Sequence, residues 1–459
     1  MSAGLFWRSV FKTRFFHPTL ISTLIAICFP LGGNAQVLKI QFGESQRLLS
    51  IHGSNTLGAA LVPIWAKDYL EALGLNKVAI TELDTQNEFK IEGQLGESSY
   101  HIFVAAHGSS TGFRALAIGE SDIAMASRRI KPDEAEALSA FGDMQSPQGE
   151  HVVAIDGLAI LVHPDNPIST LSVSELADIF GGSINNWKAL GGPDLPIKRY
   201  ARDENSGTWD TFKSLVLSKS QKLTEDALRL ESNDELSDRV SVHPSAIGFS
   251  GLASVRESKA IAIADGNSSA LAPSSLNVTT EDYPLSRRLY LYTSSKQASP
   301  RAQDFVRFVQ LEQHQERVNE VGFVSLKPVT YAVEHPDTAL PQYKALLTGA
   351  ERLSVNFRFK PGSAELDNRA QRDITRVVDY VRDLQNTEIQ LVGFGDNSPK
   401  QERALVLSKL RATAVQSALY KAGVSSRPIA GFGADNPVAS DSGSQPERNQ
   451  RVEVWLFNK

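Results

Sequence analysis

Strand-like and helix-like patterns alternate along this 459-residue chain from Leu38 to about Lys327. Short apolar runs with the composition of β-strands occur at 48–52, 78–82, 123–126, 158–163, 197–201 and 247–250. The segment 88–106 predicts a hairpin that turns through Gly96 and Glu97. Strands separated by helical stretches are typical of an α/β domain with a mainly parallel sheet.

The N-terminal segment 1–35 has the three parts of a secretory signal peptide. Basic side chains precede an apolar run at 20–31, and the small residues Gly33 and Ala35 stand where a signal peptidase inspects the chain. The alternative is a membrane anchor, but the run is shorter than the ~20 apolar residues that span a bilayer. The only cysteine, Cys28, lies within this segment. We therefore expect an exported, periplasmic chain without disulfides.

The charge and the motifs of the chain argue against several functions. The chain carries 47 Lys and Arg against 52 Asp and Glu, a net charge of −5, whereas dedicated nucleic-acid binders are usually basic. The histidines are scattered singly, without the spacing of metal ligands, and there is no phosphate-binding P-loop. We expect no nucleic-acid partner, no metal ion and no cofactor, and any bound anion must be held by local donors.

A second domain follows a proline-containing stretch at 329–350, which we interpret as a linker. Residues 351–459 contain strand patterns and two helix patterns in the order βαβαββ, which predicts an α+β domain with one sheet. The first predicted helix has apolar residues along one face, at Ile374, Val377, Val378, Val381 and Leu384. The second, 407–422, is predicted to turn Leu410, Ala414 and Ala418 inward.

Three loops rich in Ser, Thr and Gly stand where predicted strands lead into helices, at 52–58, 107–113 and 202–212. In an open α/β sheet, ligands bind beyond the carboxyl ends of the strands. The first turn of a helix offers unpaired N–H groups and a favourable dipole, to which the hydroxyl groups add donors. Each loop alone is better explained as an ordinary helix cap, since most such turns bind nothing. Three such loops that converge would surround an oxyanion, and we expect this arrangement.

Arg202 strengthens the third loop as an anion site because it lies four residues before the 206–208 turn. Its guanidinium can hold an oxyanion through two parallel hydrogen bonds. The neighbouring Asp203 or Glu204 can hold this guanidinium or accept a proton from the ion. Such an acceptor favours phosphate over sulfate, since phosphate carries hydrogen at neutral pH. The alternative is a surface ion pair between Arg202 and its acidic neighbours.

The second loop also fits a different function. Gly108, Ser110 and Gly112 match the G-x-S-x-G pattern that places a nucleophilic serine on a sharp turn in serine hydrolases. That chemistry needs an acid and a downstream histidine, for which the candidates are His151, His163, His243 and His314. Anion binding accounts for all three loops and hydrolysis for only one, so we expect a binding protein and not an enzyme.

Longer passages that contain these loops carry a family resemblance. They read GSNT, HGSSTGF, SDIAMASRRI, LSVSELADIFGGSINNW, RDENSGTWDTF, AIGFSGL and PLSRRLYLY. With them, the segment 50–330 resembles the periplasmic phosphate-binding proteins of the type II solute-binding class. The resemblance implies that 36–328 forms two lobes that close about a hinge over phosphate or a similar oxyanion, with an ABC permease as a further partner. By similarity, the ligand contacts are Ser54, Asn55, Thr56, Ser109, Ser110, Thr111, Ser127, Arg202, Ser206, Gly207 and Thr208.

One residue departs from the pattern of this family. Some members place an aspartate, which accepts a proton from the ion, after the Ala-Ser of the third passage. Here Ser127 is followed by Arg128, although Ser127 keeps its hydroxyl donor. The departure bears on whether the ion is phosphate or another oxyanion.

The second domain carries a carboxylate and a guanidinium, Asp396 and Arg411, in the passages LVGFGDNSP and ALVLSKLRATAV. This pair is complementary to a zwitterion, and an ion pair without a ligand is the alternative. Together with Asn449 and Arg451 in PERNQRVEVWLF, residues 354–457 resemble the peptidoglycan-binding domain at the C-terminus of outer membrane protein A. The resemblance implies that Asp396 and Arg411 hold the diaminopimelate residue of the peptide stem.

Two positions depart from the pattern of this second family. Ala404 stands where the family usually has Asn, and Phe394-Gly395 replaces the usual His-Thr before the aspartate. Both departures concern the strength of wall binding.

The two resemblances agree on the compartment. We expect a periplasmic protein that captures phosphate for ABC-type uptake and is attached to peptidoglycan, or associated with the outer membrane, through its C-terminal domain. The alternative is a wall-anchored protein that serves sensing, adhesion or structure without a role in transport.

Overall fold

The computed structural model describes residues 45–204, 206–217, 221–334, 339–384, 386–395, 401–441 and 445–458. The signal peptide predicted at 1–35 lies outside these residues, as does Asp396. No helix of the described ranges combines the length and the apolar character that crossing a bilayer requires.

The strands before residue 328 include every run predicted from the sequence. They are β1 (Gln46–Gly53), β2 (Asn76–Glu82), β3 (Glu88–Leu95), β4 (Ser98–Ala105), β5 (Ile123–Ala126), β6 (Glu150–Val162), β7 (Thr170–Ser172), β8 (Lys198–Arg202), β9 (Leu228–Leu230), β10 (Ala246–Gly251), β11 (Lys259–Ala260), β12 (Ala262–Ala264) and β13 (Ser286–Tyr292). The helices are α1 (Asn55–Gly58), α2 (Leu61–Ala72), α3 (Ser109–Ala117), α4 (Pro132–Ala137), α5 (Val173–Gly181), α6 (Gly207–Leu215), α7 (Asn233–Ser241), α8 (Ser275–Thr279), α9 (Pro300–Gln310) and α10 (Glu316–Glu320).

The main sheet has the order β2-β3-β4-β1-β5-β13-β6-β10-β8-β9. Strand β1 is parallel to β4 and β5, and β8 is parallel to β9 and β10. In the centre, β13 and β6 are antiparallel to each other and to their other neighbours. The sheet is therefore mixed, and the expectation of mainly parallel strands was wrong, because two central strands carry the chain between the halves in opposite directions.

These two central strands divide the fold into two lobes. Lobe 1 contains β1–β5 with α1–α4, α9 and α10, and lobe 2 contains β7–β12 with α5–α8. Strand β6 pairs with β13 as far as Gly157 and with β10 from Leu158 onward, so it belongs to both lobes. The two-lobed α/β fold expected from the family resemblance is confirmed.

Helix α2 shows why lobe 1 folds where it does. Leu61, Trp65 and Tyr69 recur every four residues, so they lie on one face of the helix, and all three are buried. The ring of Tyr69 packs edge-on against Phe305 of α9 at 5.3 Å between centroids. Full burial of each such side chain contributes roughly 2–3 kcal/mol.

The C-terminal domain contains β14 (Thr330–Tyr331), α11 (Pro341–Leu347), β15 (Glu351–Arg358), α12 (Asn368–Arg382), β16 (Thr387–Gly393), α13 (Gln401–Lys421), β17 (Ala430–Gly431) and β18 (Arg451–Asn458). Its sheet has the order β14-β15-β18-β16-β17, and from β15 onward the chain follows the expected βαβαββ order. The stretch interpreted as a linker, 329–350, contains a strand and a helix. Strand β14 pairs with β15, and Tyr343 and Leu347 of α11 pack with Trp455 of β18.

Most of the predicted inward face is present in α12, whereas in α13 the prediction is wrong for Leu410, and Ala418 packs partly buried against the core. In α12, Ile374, Val377, Val378 and Val381 are buried, whereas Leu384 was wrongly predicted, because it lies beyond the end of the helix and is 36% exposed. In α13, Leu410 is 50% exposed, and the buried face consists of Ala404, Ser408, Arg411, Ala412, Val415 and Leu419. The apolar residues of α13 lie on more than one face, and the face that carries Arg411 turns inward, so apolar periodicity alone misplaces Leu410.

The described residues form one compact unit, and the C-terminal domain packs directly on the two lobes. Arg288 of β13 pairs with Asp367 at 2.7 Å, and Arg369 of α12 pairs with Glu281 at 3.0 Å. Burial alone would raise the pKa of Glu281, but Arg288 and Arg369 outweigh it and hold the pKa below its ordinary value. The interface between the domains is thus buried and charged.

His151 adds a pH-sensitive contact to this interface. Its Nδ1 accepts a hydrogen bond from Arg372 at 2.7 Å, which requires a neutral ring, and its Nε2 lies 3.0 Å from the carbonyl oxygen of Gln148. Burial, with the nearby Arg372 charge, lowers the pKa of His151 to about 3.

Lowering the pH from 7 to 4 should destabilise the protein in a manner that depends on His151. The unfolded histidine takes up a proton near pH 6.5, whereas the folded one stays neutral to about pH 3, so stability falls between these values. Urea unfolding at pH 7, 5.5 and 4 measures this, and His151→Gln should flatten the decline. Equal slopes for wild type and His151→Gln would contradict the assignment.

Candidate functional site

The first and second loops are joined by backbone hydrogen bonds. At the end of β1, the N–H of Ser54 donates to the carbonyl of Met125 in β5 at 2.8 Å. The N–H of Gly108 donates to the carbonyl of Gly53 at 2.7 Å. Gly108 has φ +101°, a conformation that favours glycine, and the next residue begins α3. The structure therefore places the starts of α1 and α3 side by side.

The third loop meets the first across the cleft between the lobes. Gly207, the first residue of α6 in lobe 2, lies so close to Thr56 of lobe 1 that an added Cβ would stand 2.6 Å from the Thr56 Cα. Only glycine allows this approach. The structure thus brings the three predicted loops together, with the lobes closed.

Two hydroxyl groups on these loops accept hydrogen bonds within the protein. The Oγ1 of Thr56 accepts a hydrogen bond from Arg287 at 2.9 Å. The Oγ of Ser206 accepts the N–H groups of Thr208 and Trp209 at 3.2 and 3.4 Å. A hydroxyl that accepts can still donate its own proton, so Thr56 and Ser206 remain donors.

A hydrogen bond between Ser109 and Ser127 joins the start of α3 to the end of β5. The N–H of Ser127 donates to the Ser109 Oγ at 3.1 Å, and the two hydroxyl oxygens lie 3.5 Å apart. The Thr111 hydroxyl instead donates to the carbonyl of Gly108 at 2.8 Å and caps its own turn. Asn55 lies at the first position of α1.

Ser110 belongs to an ion-pair cluster with Arg128 and Glu134 of α4. Its hydroxyl donates to the Glu134 carboxylate at 3.1 Å and accepts from the Arg128 guanidinium at 2.9 Å. Arg128 also donates to both Glu134 oxygens at 2.7 and 2.8 Å. Burial raises the pKa of Glu134, but the hydrogen bond from Arg128 outweighs it and the pKa is lowered. Among the described contacts of Ser110 there is no histidine, so a nucleophile–base pair is not assembled there.

Arg202 ends β8 and is largely buried. Its Nε donates to the carbonyl of Leu230 at 3.2 Å, its Nη2 donates to the carbonyl of Glu231, and its Nη1 lies 3.5 Å from the Thr208 hydroxyl. Asp203 lies 3.6 Å from this guanidinium. Burial lowers the pKa of Arg202. The backbone of lobe 2 therefore orients the guanidinium, with one nitrogen directed toward the third loop.

Arg287 of β13 is a second guanidinium at the cleft, and sequence reasoning did not identify it. Its Nη2 donates to Thr56 of lobe 1 at 2.9 Å and to the carbonyl of Gly207 in lobe 2 at 3.0 Å. Its Nε donates to Asp156 at 3.2 Å, and Asp156 also accepts the Thr211 hydroxyl at 2.7 Å. One buried cation thus contacts both lobes at the point where they meet.

The sequence did carry a signal for Arg287. Consecutive residues of a strand point to opposite faces, so Arg287 and Arg288 at the start of an apolar strand place one arginine on each side of the sheet. An arginine that is buried in this way needs partners, which the cleft and the C-terminal domain supply.

In the second candidate site, Arg411 of α13 is 1% exposed. Its Nε donates to the carbonyl of Ser363 at 3.2 Å, its Nη2 donates to Gln450 at 2.7 Å, and its guanidinium lies 5.6 Å from the centre of the Phe359 ring. The predicted partner, Asp396, lies outside the described residues. Contact with a peptide stem therefore stays a prediction for both.

Asn449 and Arg451 shape the loop beside this site. The Asn449 side chain accepts the N–H groups of Val438 and Ala439 at 2.8 and 3.0 Å. Arg451 donates to Glu453 at 3.0 Å, and its guanidinium lies 4.0 Å from the centre of the Phe394 ring. Both side chains have internal partners, and their role as ligand contacts also stays a prediction.

Each of the two parts of the chain matches the model of a known protein family. Residues 72–313, more than half of the chain, match the model of a PBP superfamily domain. The chain belongs to the PBP superfamily. Residues 358–451 match the OmpA family, so the C-terminal domain is an OmpA family domain.

Individual relatives are similar over the two-lobed part. Protein SphX of Synechococcus elongatus is 32% identical over 288 residues, which cover 60% of this chain and 84% of SphX. The phosphate-binding protein PstS of Borreliella burgdorferi is 32% identical over 230 residues, 48% of this chain and 78% of PstS. An ABC-type phosphate transport receptor from Vibrio cholerae is a structural neighbour at 28% identity and a TM-score of 0.48, covering 60% of this chain and 99% of that receptor.

Gly207→Ala should block the closed arrangement without unfolding the protein. The new methyl group would collide with Thr56, so the lobes would have to separate, and oxyanion affinity should fall at least tenfold. The matched control is Gly181→Ala at the end of α5, where an added Cβ meets nothing within 4 Å. Calorimetry with phosphate measures affinity, and thermal unfolding verifies the fold. If both variants bind like the wild type, the two loops do not meet in the bound state.

Proposed function

We propose that this protein binds inorganic phosphate, or a closely similar oxyanion, between its two lobes. The main support is the contact of Thr56 with Gly207 across the cleft, bridged by Arg287. Two guanidinium groups, hydroxyl donors and the starts of α3 and α6 surround this contact, and all of them favour a small anion. The name of the PstS relative states phosphate binding, which agrees with this chemistry.

A cradle made only of donors would serve sulfate as well as phosphate. The position that carries an acidic acceptor in some family members is Arg128 here, and its guanidinium is occupied by Glu134. The buried carboxylate of Asp156, which is 4% exposed and bonded to Arg287, takes the role of acceptor in our proposal. A carboxylate accepts the proton of hydrogen phosphate and repels fully deprotonated sulfate.

The C-terminal domain attaches this binding domain to peptidoglycan in our proposal. Its match to the OmpA family and the buried guanidinium of Arg411 support a site for the zwitterionic end of a diaminopimelate-containing stem. The whole chain would then capture phosphate in the periplasm, close to the wall, and release it to an ABC permease. We propose reversible binding without chemistry, in keeping with the relatives, whose names describe binding proteins and transport receptors.

Calorimetric titration with phosphate and with sulfate tests the cleft. The wild type should bind phosphate at least tenfold more tightly than sulfate, and Asp156→Asn should reduce this ratio because the acceptor charge is lost. Asp194→Asn, at an exposed site of lobe 2, is the control and should keep the ratio. Absence of binding to either anion would refute the proposed function, whereas an unchanged ratio in Asp156→Asn would refute only the role of Asp156.

Co-sedimentation with purified sacculi tests the wall site. Arg411→Lys keeps the charge but loses the planar fork, so retention on sacculi should fall several-fold while phosphate affinity stays constant. Lys409→Arg, at an exposed position of the same helix, should be retained like the wild type. Full retention of Arg411→Lys would mean that another surface grips the wall.

A further inference from the structure

The C-terminal domain contacts both lobes, and its contacts to lobe 1 come from the first turns of α12. Asn368 donates to the carbonyl of Gln145 at 2.7 Å and to the Glu150 carboxylate at 3.1 Å. Arg372 donates to His151 at 2.7 Å and to the Glu150 carbonyl at 3.2 Å. Glu150 and His151 begin β6, the strand that runs on into lobe 2, and Gln145 lies in the segment that leads from lobe 1 into this strand.

The same helix reaches lobe 2 through Arg369. Its guanidinium donates to the carbonyl of Thr279 at 2.8 Å and pairs with Glu281 at 3.0 Å. Arg358 of β15 pairs with Asp282 at 2.8 Å, and all of these charged groups are buried. Residues 368, 369 and 372 of one rigid helix therefore hold segments from both lobes.

This arrangement constrains the angle between the lobes. The lobes are connected by β6 and β13, and opening of the cleft must rotate one lobe against the other about these strands. A rigid helix that is bonded to both lobes permits only one relative orientation without losing buried hydrogen bonds, which is costly. In that orientation Thr56 of lobe 1 touches Gly207 of lobe 2.

Strand β13 connects the cleft directly to the interface with the C-terminal domain. Arg287 contacts the cleft, and the next residue, Arg288, pairs with Glu281 of lobe 2 and with Asp367 of the C-terminal domain. Because consecutive strand residues face opposite sides, this one strand presents a charge to the cleft and a charge to the interface.

We infer that the docked C-terminal domain is a clamp across the hinge that holds the lobes in the closed orientation and so raises affinity for the anion. The interaction surface on the lobes consists of Gln145–His151 and Thr279–Asp282, and its partner is α12 with Arg358 of this same chain. The affinity effect rests on the proposed function, whereas the effect on lobe orientation does not. Apparent affinity scales with the population of the closed state, so a weakened clamp lowers it.

Arg372→Ala in the full chain tests the clamp. It removes contacts to lobe 1 and leaves those of Arg369 and Arg358 to lobe 2, so the C-terminal domain should stay attached while the lobes open more often. Phosphate affinity by calorimetry should fall about tenfold, and small-angle scattering without phosphate should show a larger radius of gyration. Arg382→Ala on the same helix, where the exposed arginine pairs with Asp379, is the control and should change neither.

Asn368→Ala serves as a second variant, and binding to sacculi serves as a further measurement. Asn368→Ala removes a different contact to lobe 1 and should act in the same direction, and binding to sacculi should stay at the wild-type level in both variants. Unchanged scattering and unchanged phosphate affinity in both variants would overturn the clamp. If the wild type binds no phosphate, the proposed function fails, but the scattering of the two variants still decides whether the domain holds the lobes.

Discussion

The closed cleft depends on one buried cation, Arg287. Burial of a guanidinium is costly unless each donor finds a partner, and burial lowers its pKa while Asp156 counteracts the shift. Its partners are Asp156 in β6, the strand shared by both lobes, Thr56 of lobe 1 and the carbonyl of Gly207 in lobe 2. Asp156 is its cross-strand neighbour, whereas Thr56 and the Gly207 carbonyl come from different lobes and meet at this cation in the closed cleft. The cation therefore links the orientation of the lobes to the geometry of the anion site, and the other donors are arranged around it.

Local sequence patterns predicted the elements and the loops because both are determined over short distances. Ser172 and Glu175 form a capping box at the start of α5, and Ser206 caps α6. The predictions that were wrong concerned features that depend on contacts between distant segments of the chain. The antiparallel direction of β6 and β13 follows from the passage of the chain between lobes, and Leu410 is exposed because Arg411 occupies the buried face of α13.

Charged residues at the domain interface were the least predictable feature. Arginine is usually exposed to solvent, and nothing in the spacing of Arg358, Arg369 and Arg448 along the sequence indicates that they are buried. They are buried because Glu281, Asp282 and the backbone carbonyl of Ser286 accept their hydrogen bonds or pair with them. An interface that depends on paired charges holds one orientation, since any rotation leaves a buried charge without its partner. The interpretation of 329–350 as a linker between two separate domains therefore missed the buried, charged interface that fixes the C-terminal domain on the lobes.

A chain of net charge −5 can still hold an anion because the relevant field is local. Charges farther away than a Debye length, about 8 Å at physiological ionic strength, are largely screened when they are exposed. Within the cleft, Arg202 and Arg287 are largely buried and oriented by carbonyls and Asp156, so their field is screened much less. Arg128 adds little to this field because Glu134 neutralises it. Selection of the anion then depends on the placement of a few buried groups, and the closed orientation of the lobes, not the total charge of the protein, maintains that placement.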